Sequence, residues 1–417
     1  MPDLHIDAAR LQSELDHLAT FTHAEPSPLG TAVTRVVFTP DDLAARAWLK
    51  RLATEAGLSI REDAIGNTFF RLEGTDPALA PVATGSHIDA IPHAGMYDGT
   101  VGVLGGLAAL RAIAASGHRP RRSIETILLT SEEPTRFGIG CLGSRVLSGV
   151  LPPEQADALL DASDLPLHQV RTAAGFHGPL ETVRIAPHHY YSFLELHIEQ
   201  GALLERHAEQ IGIVTSIAAP AGYRFVIEGF GGHAGALLMP DRHDALCAAA
   251  ELVLSIERHA LATGSIDTVA TVGTCDVHPG AVNSVPSRVA LQLDIRDTDP
   301  ARRESVMHGI RADIASLQDR RRVEITESLV NADEPATCAP DIVSLLTDIC
   351  SEHAIPARKM VSRAYHDTLF MARIAPVAMI FIPCRAGVSH KPDEFATTAD
   401  IARGTLVLAE ALARLAA

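Results

Sequence analysis

Extended apolar runs alternate with helical ones through the first half of this 417-residue chain, and that alternation limits the fold more than any other feature. TFFRLEG, PVATGSHID and SIETILLTSEE read as strands, with a helix over 101–116 between the last two. Such a pattern predicts an α/β unit with a mostly parallel central sheet flanked by helices. Ligands in these sheets collect just beyond the carboxyl ends of the strands, which is where SHID and TSEE fall. Helices are also expected at 8–18 and at 41–56, the second opened by TPDD, whose Thr and acidic residues suit capping.

The pattern changes over 215–329. A strand at YRFVIEGFG, an Ala-rich helix at 241–262, strands near DTVATVGTCDVHPG and RVALQLDIRD and a helix at 300–319 make a smaller α+β unit. This inserted unit is a candidate lid or dimerisation domain, flanked by a catalytic domain in two parts, 1–214 and 330–417. The second part is expected to hold a helix near 341–353, the strand VAMIFIPC and a closing helix over 399–415.

A formal charge of −16 argues against nucleic acid as a partner, since phosphate binding relies on Lys and Arg. Apolar stretches such as 101–115 are shorter than a membrane span or broken by Gly, Arg and His, so no membrane association is expected. The start, MPDLHIDAARLQSELDHLATF, lacks the basic-then-apolar order of a secretion signal, and a cytoplasmic location is expected. The six cysteines are widely spaced with no CxxC pair, which suggests neither a disulfide framework nor a zinc ribbon.

Four segments carry chemistry. In TGSHIDAIPHAGMYDG, His87 and Asp89 are two apart, on one face of an extended chain, and Asp98 follows in a Gly-rich loop. Imidazole suits zinc, manganese or cobalt, and a carboxylate can bridge two such ions. Asp89 reads as the carboxylate that orients the His87 ring. In LLTSEEPTRFG, Glu132 and Glu133 close an apolar run and point in opposite directions, so one can bind metal while the other accepts a proton. LELHIEQG places His197 and Glu199 on one face, followed by Gln200, and SHKPDEF places His390 in a loop past the VAMIFIPC strand. In the insert, GFGGHAG sets His233 among glycines, and HPGAVNSVPSRVALQLDIRD contributes Asn283 and Arg296, groups suited to a carboxylate. His93, His188, His189, His278 and His353 stand outside these segments, and neither Cys141 nor Cys384 has the base pattern of a thiol nucleophile.

Taken in order, TGSHID with YDG, TSEEPTRFG, ELHIEQG, GGHAGA, PGAVNSVPS and SHKPDE make the chain resemble the metal-dependent amidohydrolases. That family includes N-carbamoyl-L-amino acid hydrolases, allantoate amidohydrolases and ureidoglycolate amidohydrolases. The resemblance implies a metallopeptidase-like catalytic domain with a lid that also forms a homodimer interface. It implies two divalent ions per subunit, manganese favoured over zinc, cobalt or nickel. Asp98 would bridge them, with His87 and His197 completing one site and Glu133 and His390 the other. Glu132 becomes the general base, His233 steadies the oxyanion, and Gln200, His233, Asn283 and Arg296 match substrate contacts, some serving the neighbouring subunit. The segment SRAYHD leans towards the ureidoglycolate enzymes and makes Tyr365 and His366 substrate contacts as well. The implied reaction is hydrolysis of a small ureido compound, (S)-ureidoglycolate first, with allantoate or an N-carbamoyl amino acid as alternatives.

Overall fold

The computed structural model describes residues 4–417, which fall into two compact units. The first comprises residues up to Thr215 together with Thr337–Met360 and His366–Ala417, and the second comprises Ser216–Ala336 and Val361–Tyr365.

In the first unit a nine-stranded sheet has as its central run Ile211–Ile217, Val377–Ile382, Ser192–Ile198, Val82–Ser86, Ile124–Leu128, Thr68–Leu72 and Ser59–Glu62. The four strands from Val377–Ile382 to Ile124–Leu128 are parallel to one another, and every residue in them is buried. Burial on both faces explains their continuous apolar character. Around this parallel centre the sheet is mixed, because its flanks run antiparallel. Ser59–Glu62 and Thr68–Leu72 are joined by only a short turn, which cannot make the crossover that parallel pairing needs. Helix Thr100–Ala115 is buried along almost its whole length and packs against the closing helix Thr398–Leu415. The helices expected near the N-terminus occur at Ala8–Ala19 and Pro40–Glu55, each with a capping side chain, Asp7 and Thr39.

The second unit is a four-stranded antiparallel sheet in the order Val269–His278, Arg288–Asp297, Ala219–Glu228, Glu324–Ala332. Helices Ala245–Ala262 and Pro300–Arg321 supply the rest of its core, packing Leu252, Ile256, Met307 and Ile310 against Phe225, Ile227, Leu291 and Leu293. Alternate residues of Arg288–Asp297 are buried, as a sheet covered on one face requires. The boundary expected at 329 falls inside Glu324–Ala332. That strand pairs along Ala219–Glu228 as far as Ala332, and the second unit runs to Ala336. Val361–Tyr365 also belongs to the second unit, so the boundary divides Tyr365 from His366.

Candidate metal centre and active site

Each of the four central parallel strands delivers site residues at its carboxyl end. His87 and Asp89 follow Val82–Ser86, Glu132 and Glu133 follow Ile124–Leu128, His197 is the penultimate residue of Ser192–Ile198 with Gln200 just beyond, and His390 follows Val377–Ile382. The strands end before His87 and before the glutamates, so these residues stand on loops rather than on strand faces. Asp98 directly precedes Gly99, the N-cap of helix Thr100–Ala115, which has φ +66°. A Cβ at Gly99 would overlap the His87 ring, so glycine is required both for its backbone angle and for this close approach.

Asp98 is the meeting point. Its Oδ1 lies 3.1 Å from His197 Nε2 and 3.6 Å from His87 Nε2. Its Oδ2 lies 3.3 Å from His390 Nε2, which is itself 3.3 Å from Glu133 Oε1. Two ligand groups meet on Asp98, His87–Asp98–His197 and Asp98–Glu133–His390, sharing only that residue, and a third set of close donors, Glu195, His197 and His366, overlaps the first at His197. Two donors on one tetrahedral ion at the usual bond lengths stand about 3.4 Å apart, so the observed separations fit divalent cations. The ring orientations fit as well. His87 Nδ1 is 3.0 Å from the main-chain oxygen of Asp89 and His197 Nδ1 is 2.9 Å from that of Ile198. An Nδ1–H donated to a carbonyl leaves the Nε2 lone pair facing Asp98.

Burial raises the Asp98 pKa, but hydrogen bonds from His197, His390 and His87 outweigh it and hold the carboxyl well below its usual range. Hydrogen bonds to Asp98 and Glu133 push His390 up to about 11. The carboxylates that raise these imidazoles are the same groups that would draw a cation to them.

The Asp89 carboxylate has partners beyond the one expected: its Oδ1 lies 3.7 Å from His87 Nδ1. Its oxygens accept the main-chain N–H groups of Glu132 at 3.2 Å and Glu133 at 3.0 Å, while the His87 ring is held by the Asp89 main chain. Ser131, at φ +57°, turns the chain so that both amides face Asp89. The glutamates then diverge: Glu133 faces His390, and Glu132 Oε2 lies 3.8 Å from His87 Nε2. Burial, reinforced by repulsion from Glu133, Asp367 and Asp98, pushes the Glu132 carboxyl well above its usual range despite the opposing pull of His87. Cys141 donates its thiol to Glu132 Oε1 at 3.4 Å, and burial beside Glu132 pushes that thiol well up, the opposite of an activated nucleophile.

Gln200 donates to Asp98 Oδ2 at 2.7 Å and to Ser389 Oγ at 3.2 Å, so in this structure it braces the shared carboxylate. The buried His366 ring packs on His197 with centroids 4.4 Å apart. Glu199 lies outside both ligand groups; its oxygens accept the amides of Leu203 and Leu204 at 2.7 and 2.9 Å. In the second unit, the Arg296 guanidinium bonds the Asp294 carboxylate with both forks at 2.9 Å and lies 5.4 Å from the Tyr365 ring centroid. His233 and Asn283 are exposed neighbours there: Gly232–His233 pairs with Ser284–Val285, and the Asn283 carbonyl accepts the Ala234 N–H. His93, His188, His189 and His278 are exposed and His353 pairs with Glu410, all outside both ligand groups.

Sequence reasoning missed a buried polar layer beneath these ligands. Glu195 accepts hydrogen bonds from Ser86 and Thr368, and Asp367 accepts one from Ser144. Glu394 joins the loops of Asp98 and His390. Its signal in the sequence is an acidic residue in the same Pro-containing loop as a candidate ligand.

Imidazoles and carboxylates gathered on a shared Asp, beside a buried carboxylate in neither ligand group, define a metal-dependent hydrolase site. Residues 83–414 match the family model of peptidase family M20/M25/M40, and the chain belongs to this family, on its amidohydrolase branch. It is 48% identical to the ureidoglycolate hydrolase of Arabidopsis thaliana over 421 residues, 99% of this chain and 87% of that protein. The N-carbamoyl-L-amino-acid amidohydrolase of Paenarthrobacter aurescens is 36% identical over 96% of each chain. The solved structure of AtUAH in complex with glyoxylate superposes with a TM-score of 0.87 at 48% identity, covering 99% of this chain and 98% of that one.

Proposed function

We propose that this chain is a two-metal amidohydrolase that converts (S)-ureidoglycolate to glyoxylate, ammonia and carbon dioxide, a step of purine and allantoin breakdown. One observation carries the reading: the two oxygens of Asp98 face two separate ligand groups, with Glu132 beside His87 and in neither group. The likeness to ureidoglycolate hydrolases over nearly the whole chain supports the substrate. His87, Asp98 and His197 would hold one ion and Asp98, Glu133 and His390 the other, manganese ahead of zinc, cobalt or nickel. Bound there, the ions would supply Lewis acidity to the ureido carbonyl and to water.

The rest falls to the protein's own side chains. Glu132 takes a proton from the attacking water and returns it to the leaving nitrogen, its raised affinity for a proton suiting it to both steps. Ammonia leaves, the remaining carbamate loses carbon dioxide, and the resulting hydroxyglycine releases a second ammonia to give glyoxylate. His233 steadies the oxyanion, and Asn283 and Arg296 take the substrate carboxylate, with Gln200, Tyr365 and His366 as further substrate contacts. The exposed apolar residues Leu254, Leu261 and Ile266 of the second unit support a homodimer formed through it. No described helix is long and apolar enough to cross a membrane, and a cytoplasmic location completes the proposal.

The test is a panel of ureidoglycolate, allantoate and N-carbamoyl amino acids on manganese-reconstituted protein, with ammonia and glyoxylate both measured. Two ammonia per glyoxylate from ureidoglycolate is the expected result. Faster turnover of allantoate or of a carbamoyl amino acid overturns the substrate assignment.

A further inference from the structure

Glu394 is 3% exposed, lies four residues beyond His390, and reaches two loops at once. Its Oε1 accepts the main-chain N–H groups of Tyr97 at 2.8 Å and Asp98 at 3.0 Å. Its Oε2 accepts the hydroxyl of Ser389, the residue before His390, at 2.8 Å. The same hydroxyl lies 3.1 Å from Asp98 Oδ2 and accepts the Gln200 amide at 3.2 Å. One hydroxyl carries one proton, so Ser389 serves either Glu394 or Asp98 at a given moment. A cation on Asp98 would leave that proton to Glu394. The Glu394 stem is seated against Gly95, where any Cβ would overlap it.

The two ligand groups differ in how they are held. His87 and His197 each have Nδ1 tied to a neighbouring main-chain oxygen, so their rings are preset. The side chain of His390 is 48% exposed and the residue sits at φ +61°. Among the described residues no carbonyl bonds its Nδ1. Its position depends on the loop that carries it.

We propose that Glu394 is a positioning residue for the metal site of Asp98, Glu133 and His390, clamping the Asp98 loop to the His390 loop. Its carboxylate fixes the Asp98 main chain from one side and Ser389 from the other, holding Asp98 Oδ2 and His390 Nε2 at ligand spacing. This rests on the reading of those three residues as metal ligands. Both groups share Asp98, but His87 and His197 have their own ring anchors, so loss of the clamp acts more strongly on the other site.

The experiment uses chelator-stripped wild type, Glu394→Ala, Glu394→Gln and Gly95→Ala, each titrated with manganese by calorimetry, with ion content per subunit measured after desalting. Wild type is expected to take up two ions. Glu394→Ala is expected to keep one and to bind the second at least about tenfold more weakly, the scale of losses when an outer partner of a ligand is removed. Glu394→Gln, whose amide oxygen still accepts from the Asp98 loop, should fall between. Gly95→Ala, which keeps the carboxylate but displaces it, should reproduce the Ala variant. Circular dichroism and melting curves check that each variant is folded. Two ions bound with wild-type affinity in both Glu394→Ala and Gly95→Ala overturn the proposal, as does equal loss of both ions. A wild type that takes up a single ion overturns the two-metal reading; in that case undiminished affinity in Glu394→Ala overturns the clamp as well.

Discussion

Asp89 holds Glu133 by its backbone: Oδ2 of the aspartate accepts the Glu133 N–H at 3.0 Å, and Oδ1 accepts that of Glu132 at 3.2 Å. One carboxylate therefore sets the starting point of both glutamate side chains. Asp89→Asn places an amide N–H against one of these main-chain donors and turns the pair. Activity should fall about 10- to 100-fold, with reduced manganese content, on the scale seen when an outer partner of a metal ligand is lost. Steady-state rates and metal analysis of the purified variant decide it; a fully metallated, fully active Asn variant would show that the loop holds its shape unaided.

Glu132 is buried and lies in neither ligand group. Glu132→Gln keeps the shape and the metals but cannot take up a proton. Turnover should drop by about two to four orders of magnitude while two ions per subunit remain bound. Full turnover in a metallated Gln variant would remove Glu132 as the base.

The metal-free protein should lose stability as pH rises. Burial, with repulsion from Glu195, pushes Asp367 up to about 7, and burial beside Asp98 does the same to Glu394. Bonds to Asp98 and Glu133 raise His390 to about 11. In the unfolded chain these carboxyls titrate near about 4 and the imidazole near about 6.5, so each group binds its proton more tightly when folded. Stability is thus lost from about pH 4 to 7 through the carboxyls and from about pH 6.5 to 11 through His390. Melting curves of chelator-treated protein should shift down across neutral to alkaline pH, and manganese-loaded protein should give a flatter profile, because a cation replaces the proton on His390. An upward shift in chelator would contradict the assignment.

Arg296 presents a planar fork that Asp294 occupies here through both nitrogens. If the fork receives the substrate carboxylate, Arg296→Lys keeps the charge but loses the paired geometry. KM should rise about tenfold or more with a smaller change in kcat, the signature of a contact made equally in ground and transition states. An unchanged KM would exclude Arg296 from the substrate.

Much of the site is legible in the sequence because its polar clusters close apolar runs, and apolar runs between helices become parallel strands whose ends converge. His87, Glu133, His197 and His390 are readable as candidates on that ground, whereas Asp98, in a Gly-rich loop before a helix, stands out as a shared ligand only through the family resemblance. Asp89 shows the limit. Its carbonyl and its carboxylate are both two residues from His87, and spacing cannot tell which of them takes the ring and which takes the next loop. Glu394 and Glu195 are harder still: each is a solitary acid whose partners, Asp98 and Thr368, lie 296 and 173 residues away. The strand Glu324–Ala332 escaped because most of its residues are exposed and its apolar pattern is weak.

The four central strands also set a sequence of events during synthesis. Asp98 and His390 meet only when Val377–Ile382, near the end of the chain, has paired beside Ser192–Ile198. A growing polypeptide therefore carries His87, Asp98, Glu133 and His197 long before it can close the second ligand group. Contacts of this separation are slow to form, so completion of the metal centre is a late reporter of correct assembly. Manganese uptake, followed in time after refolding begins, would serve as a clock for the last strand's arrival.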